Sequence, residues 1–197
     1  MTQAPAISTL GELKAAGYEY KTVREELRDN LLAKLKAGEN PWPSLHGLEH
    51  TVLPQVERAI IAGHDIVLLG ERGQGKTRLL RTLPQLLDDY VPAIADSELR
   101  EHPLHPITEA AKRRIEEEGD ALPVVWIPRE ARYSEKLATP DTSVADLIGD
   151  VDPMRVAEGR RLGDPETIHY GLIPRSNRGI VAINELPDLA ERIQVAM

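Results

Sequence analysis

Residues Gly70 to Thr77 read GERGQGKT and follow directly on the run Asp65-Ile66-Val67-Leu68-Leu69. They fit the pattern G-x-x-x-x-G-K-[ST], whose mechanics require a strand, a glycine-rich turn and then a helix. The three glycines Gly70, Gly73 and Gly75 allow positive φ and close backbone approach, so successive N–H groups can converge on phosphate oxygens. Lys76 is placed to reach the β- and γ-phosphates, Thr77 to offer its hydroxyl to Mg²⁺, and the helix that follows to add its positive dipole end. Glu71, Arg72 and Gln74 complete the loop. The chain is therefore expected to bind a nucleotide.

Composition narrows the partners. With 24 Lys and Arg against 32 Asp and Glu, the net charge of −8 draws the chain neither to nucleic acid nor to an anionic membrane. There is no cysteine, which excludes disulfides, thiolate metal sites and cysteine nucleophiles. No stretch approaches the roughly 18 apolar residues of a membrane span, and Met1 to Leu10 lacks the basic start and apolar core of a signal peptide. The cytoplasm is the expected compartment. A length of 197 residues suffices for an α/β core with an extension.

Helices are expected ahead of the loop. Thr9-x-x-Glu12 and Thr22-x-x-Glu25 are capping-box patterns. In the second helix Val23, Leu27, Leu31 and Leu35 recur every four residues, with Gly38 at the exit, predicting one buried face. Pro41 and Pro43 mark a linker. A third helix is predicted over about Val52 to Ala62, closed by Gly63. Past the loop, Lys76 to about Tyr90 reads as a helix that Pro84 kinks or splits. Residues 92 to 121 read as a polar insertion carrying a helix over Thr108 to Glu118. Val124 to Ile127 and Gly179 to Ile183 read as buried strands. Between them Ser143-x-x-Asp146 caps a short helix, and residues 151 to 172 have room for a hairpin. Strands alternating with helices predict a parallel sheet covered on both faces. The division expected is residues 1–46, a helical extension and linker, and residues 47–197, the nucleotide-binding domain.

The strand Ile180 to Ile183 runs into Asn184-Glu185, where nucleotide hydrolases place the acidic pair of a Walker B motif. The first acid ordinarily holds Mg²⁺ through its waters and the second orients the attacking water. Glu185 is the candidate base. Asn184, at the metal position, brings an amide oxygen but no charge.

Three segments carry a resemblance: GERGQGKT, ATPDTSVADLIGDVDP from Ala138 to Pro153, and GLIPRSNRGIVAINELPDL from Gly171 to Leu189. They resemble AAA+ ATPases of the magnesium-chelatase motor-subunit and MoxR group, from about Gly47 onward. The resemblance implies a three-layer αβα P-loop fold with a parallel sheet, ATP and Mg²⁺ as ligands, and ATP hydrolysis with Lys76 and Glu185 as catalytic residues. It implies Thr77 and Asn184 at the metal and a homo-oligomeric ring, a hexamer. The ring would remodel or load another protein, commonly one with a von Willebrand factor A domain. It also places sensor 1, the arginine finger, sensor 2 and the helical lid downstream of Met197, so the chain is expected to be the N-terminal piece of a longer ATPase module. The alternative is a nucleotide-binding scaffold or switch with little or no hydrolysis, which Asn184 favours. No N-K-x-D segment follows the loop, against a guanine-nucleotide switch.

Other polar residues carry weaker expectations. His102-x-x-His105 is read as a solvated loop rather than a metal site, for want of a third ligand. Arg160-Arg161, Arg175 and Arg178 are candidates for a subunit interface, Arg178 foremost. Trp42 and His46 to Leu48 are read equally as adenine neighbours and as plain packing.

Overall fold

A computed structural model describes residues 3–71, 73–152, 154, 157 and 167–196. The expected N-terminal helices form. α1 (Leu10–Ala15) and α2 (Val23–Lys36) each start on a reciprocal capping box, Thr9 with Glu12 and Thr22 with Glu25. α3 (Leu53–Ala62) ends at Gly63, whose φ of 70° lets its N–H turn back to the carbonyls of Ala59 and Ile60; only glycine takes that conformation without cost.

Leu31, Trp42, Leu45, Leu53, Val56, Ile60, Leu79, Leu83 and Leu86 form one buried cluster. Apolar packing is thus continuous across residue 46, joining α2, the proline linker and α3 to α4 (Lys76–Leu80), the helix that follows the glycine-rich loop. The predicted α2 stripe is only partly inside, since Leu31 is fully buried whereas Leu35 is exposed. The buried face instead includes Glu26, whose carboxylate takes two hydrogen bonds of 2.6 Å from the Arg132 guanidinium. Both side chains are almost wholly out of water.

The helix expected from Lys76 to Tyr90 is much shorter. α4 ends at Leu80, a 3₁₀ turn follows over Leu83–Leu86 with Pro84 in its first turn, and the chain then enters β1 (Tyr90–Ile94). β1 pairs antiparallel with β2 (Val124–Pro128), in register Tyr90↔Pro128 to Ile94↔Val124. The segment Val124 to Ile127 is therefore not a strand of a parallel sheet. Within residues 92–121 the helix expected over Thr108 to Glu118 forms as α5 (Glu109–Glu118), capped by Thr108, and Ile94, Ala111 and Leu122 bury Leu10 of α1 between them. α1 is also stitched here by its backbone, Leu10 N–H to Leu122 C=O at 3.0 Å and Val124 N–H to Ser8 C=O at 2.8 Å.

One parallel pair forms, β3 (Tyr133–Leu137) beside β6 (Ile180–Asn184), in register Tyr133↔Ile180 to Leu137↔Asn184. α6 (Val144–Leu147) starts on the expected capping box of Ser143 and Asp146. β4 (Gly149–Val151) and β5 (Ile168–Tyr170) make an antiparallel ladder, of which β5 lies within residues 151–172, where the sequence leaves room for a hairpin, while β4 begins ahead of them at Gly149, and α7 (Leu172–Arg175) leads back toward β6. α8 (Glu191–Ala196) closes a third apolar cluster through Ile193, against Ala138, Leu147 and Leu189.

The architecture is mixed α/β with three two-stranded sheets among the described residues, in place of the continuous parallel sheet covered on both faces that the sequence predicts. The run Asp65–Leu69 is not a paired strand among the described residues. It keeps a two-residue alternation nonetheless. Ile66 and Leu68 pack on the main cluster, while Val67 and Leu69 are 68% and 90% exposed.

Candidate functional site

The loop after that run folds back on itself. Gly70, Gly73 and Gly75 have φ of 154°, 85° and 79°, and a Cβ at Gly70 would run into the Gln74 amide oxygen. None of the backbone N–H groups of Gly73, Gln74 and Gly75 has an acceptor among the described residues. The Lys76 ammonium closes the loop by donating to the carbonyls of Gly70 at 2.5 Å and Glu71 at 2.7 Å. A ring of unused N–H donors around a lysine held at its mouth is the donor set an anionic group needs, so these residues fit a polyphosphate. Thr77 is half-buried in the first turn of α4. Arg72 lies outside the described residues.

The end of β6 is tied to α4 by an unexpected side chain. Glu135, on β3, takes a bidentate pair from Arg81, Nε to Oε2 at 2.8 Å and Nη2 to Oε1 at 2.9 Å. The Tyr133 hydroxyl donates to Oε2 at 3.1 Å, and the Asn184 Nδ2 donates to Oε1 at 2.7 Å. The Arg81 guanidinium foremost, with those two donors, holds the Glu135 carboxyl below the usual carboxylate range against the opposing effect of burial. Asn184 thereby spends its amide N–H on a carboxylate and keeps Oδ1 as its acceptor. A carboxylate does stand beside Asn184, supplied by the neighbouring strand. Sequence gives no sign of it, because YSEKL has no apolar run to mark β3.

Glu185 is exposed and makes no side-chain hydrogen bond among the described residues. Its backbone is left-handed, φ 54° and ψ 45°, where it opens the 3₁₀ turn Leu186–Asp188. A non-glycine residue in that region costs about 1 kcal/mol or more and is concentrated at functional sites. Among the described residues no hydrogen bond joins the loop directly to Asn184 or Glu185; the connection runs through Arg81 and Glu135.

The remaining candidates lie elsewhere. Trp42 is buried with its Nε1 donating to Glu57 at 2.9 Å, the packing alternative. His102 is not in a solvated loop: it is 1% exposed, stacked on Tyr18 and edge-on to Tyr20. Burial pushes its imidazole down to about 3. The tyrosines that bury it lie more than eighty positions earlier, and no local signal announces them. No group of three metal-ligating side chains forms among the described residues. Arg178 points inward, donating to the Pro92 carbonyl at 2.6 Å, while Arg175 is exposed. Arg160 and Arg161 lie outside the described residues.

No family model matches the chain, and neither a curated protein nor a solved structure is significantly similar to it.

Proposed function

We propose that the chain is the nucleotide-binding part of an ATP-driven motor or chaperone of the chelatase and MoxR type, binding Mg²⁺-ATP through Gly70 to Thr77. The observation that carries this reading is the loop of positive-φ glycines whose N–H groups have no acceptor, and whose lysine bonds only to loop carbonyls, among the described residues. ATP would place its phosphates there, with Lys76 moving from those carbonyls to phosphate oxygens and Thr77 turned to the metal. Asn184 would reach the metal through water by Oδ1, and Glu185 would orient the attacking water. The parallel pairing of β3 with β6 supports the reading, because it sets a strand alongside the Walker B position. A ring assembly and a protein partner belong to the same proposal by resemblance.

A second reading, a nucleotide-dependent scaffold with little turnover, draws on two observations: the Asn184 amide is committed to Glu135, and the exposed Glu185 carboxylate has no hydrogen-bond partner among the described residues. Calorimetric titration with Mg²⁺-ATP tests the first step, and Lys76→Ala is expected to remove most of the affinity. Equal binding by both chains would sink the phosphate-loop assignment. Glu185→Gln then separates the two readings, because it abolishes hydrolysis while sparing binding in a motor and changes neither in a scaffold.

A further inference from the structure

The Glu135 carboxylate has about four lone-pair positions, and the structure fills them all. Oε1 accepts Arg81 Nη2 at 2.9 Å and Asn184 Nδ2 at 2.7 Å, while Oε2 accepts Arg81 Nε at 2.8 Å and the Tyr133 hydroxyl at 3.1 Å. These partners are not equally held. Tyr133 opens β3 and Asn184 ends β6, so the ladder between the two strands fixes both. The Arg81 side chain is 64% exposed against 21% for Glu135, and an ion pair with so exposed a partner adds little net stability. Half of the hydrogen bonds to this carboxylate are therefore readily exchanged.

Arg81 also fixes where the carboxylate stands. Its N–H bonds to the Thr77 carbonyl at 3.0 Å, which sets residues 77 and 81 one above the other on one face of the helix. Side chains on a helix lean toward its N-terminus, so Arg81 grips Glu135 beside the turn that carries Thr77. Glu135 is thus bonded to the end of α4 and to Asn184 alike.

A Mg²⁺ ion between Thr77 and Asn184 would be short of charge. Magnesium keeps several waters and is ordinarily held through one or two carboxylates beside the phosphates, whereas Asn184 brings an amide. On the strength of the Mg²⁺-ATP reading, we propose that Glu135 is the carboxylate of the metal site, accepting a hydrogen bond from Mg²⁺-bound water in place of Arg81 while Asn184 and Tyr133 keep it aimed. Arg81 is the counter-ion that occupies the carboxylate in the absence of the metal. A divalent cation nearby repels its guanidinium and releases it into the water that already surrounds it.

Calorimetric titration of the full chain with ATP, once in saturating Mg²⁺ and once in EDTA, gives the ratio of the two affinities and separates the metal's contribution from that of the loop. Glu135→Gln keeps the shape of the side chain and should lower this ratio about ten-fold, the loss of a charge-assisted hydrogen bond. Arg81→Gln frees the carboxylate and should raise the ratio about three-fold. A glutamate that only braces α4 against β3 would move both variants in the same direction, because each breaks the same ion pair. Adding Asn184→Asp to Glu135→Gln exchanges amide and carboxylate, keeps their mutual hydrogen bond and should restore the parent ratio, which holds the test open if Glu135→Gln alone fails to fold. An unchanged ratio in Glu135→Gln, or a fall in both single variants, overturns the inference. No ATP binding by the parent in either condition overturns the nucleotide reading itself, and the metal site with it.

Discussion

The buried imidazole of His102 makes the stability of this chain steeply dependent on mild acid. In the folded state burial holds it neutral down to about pH 3, whereas an unperturbed histidine takes its proton near 6.5. Between those values the unfolded chain carries a proton that the folded chain refuses. A folded pKa depressed in this way means that stability rises with pH through the window and is lost as pH falls. One proton of difference is worth about 1.4 kcal/mol per pH unit, or about 3 kcal/mol accumulated between pH 6.5 and pH 4. That is a large share of the 5–15 kcal/mol typical of a domain. His102→Phe removes the titration and retains the stack on Tyr18. It also leaves the Leu104 N–H unpaired, a cost of about 1 kcal/mol that does not vary with pH. Urea unfolding at half-unit intervals from pH 7 to pH 4 should give two curves that cross, the parent starting about 1 kcal/mol above the variant and losing about 3 kcal/mol more. Carboxylates common to both chains cancel in the difference. Parallel curves would show that water reaches Nε2 and that the imidazole takes its proton in the folded chain.

The buried pair of Glu26 and Arg132 gives a second expectation: Arg132→Met strands a carboxylate and should cost about 3–5 kcal/mol in urea unfolding, most of it recovered when Glu26→Leu is added. Asn184→Asp sets a second carboxylate against Glu135. It should lower stability without metal by about 1 kcal/mol and lower the Mg²⁺ needed for half-maximal ATP binding about ten-fold, read from a Mg²⁺ titration at fixed ATP. Unchanged Mg²⁺ dependence would separate β6 from the metal. Glu135→Gln should flatten the acid limb of stability. The parent's carboxyl is held below its usual 4.5 by Arg81, so that contribution is full above this value and disappears as pH falls through the lower folded one. With Arg81 largely in solvent, the effect is at most about 1 kcal/mol.

The features legible in the sequence are those set by neighbours three or four residues away. The capping residues Thr9, Thr22 and Ser143, the Gly63 stop and the strand ending at Asn184 all form where they are expected, because each signal and its response lie within one turn or one strand. Pairing between strands was not legible. Tyr90–Ile94 carries Pro92, which obscures a strand, yet β1 has a single partner and an outer edge where proline is tolerated. Tyr133–Leu137 is a strand because Ile180–Asn184 lies beside it, despite Glu135 and Lys136 in its middle. Asp65–Leu69 shows the converse, since strand propensity without a partner gives alternation of burial and no ladder. At the candidate site the loop glycines and Lys76 were visible as a local motif. Arg81 and Glu135, which connect it to Asn184, meet only in three dimensions.

The anchoring of α1 has a consequence for how the chain is made. Six residues are too few to hold a helix unaided, and the groups that fix this one come late: Trp126 Nε1–H bonds to the Ile7 carbonyl across 119 positions of sequence. At a synthesis rate of about 5–20 residues per second, α1 waits about 6–24 s after it is made before its seat exists. During that interval Leu10 and Leu13, both buried at the end, are open to chaperones or to neighbouring nascent chains. α2 and α3 find each other within the first 62 residues, so the helical core beside the glycine-rich loop assembles while the first helix is still unseated.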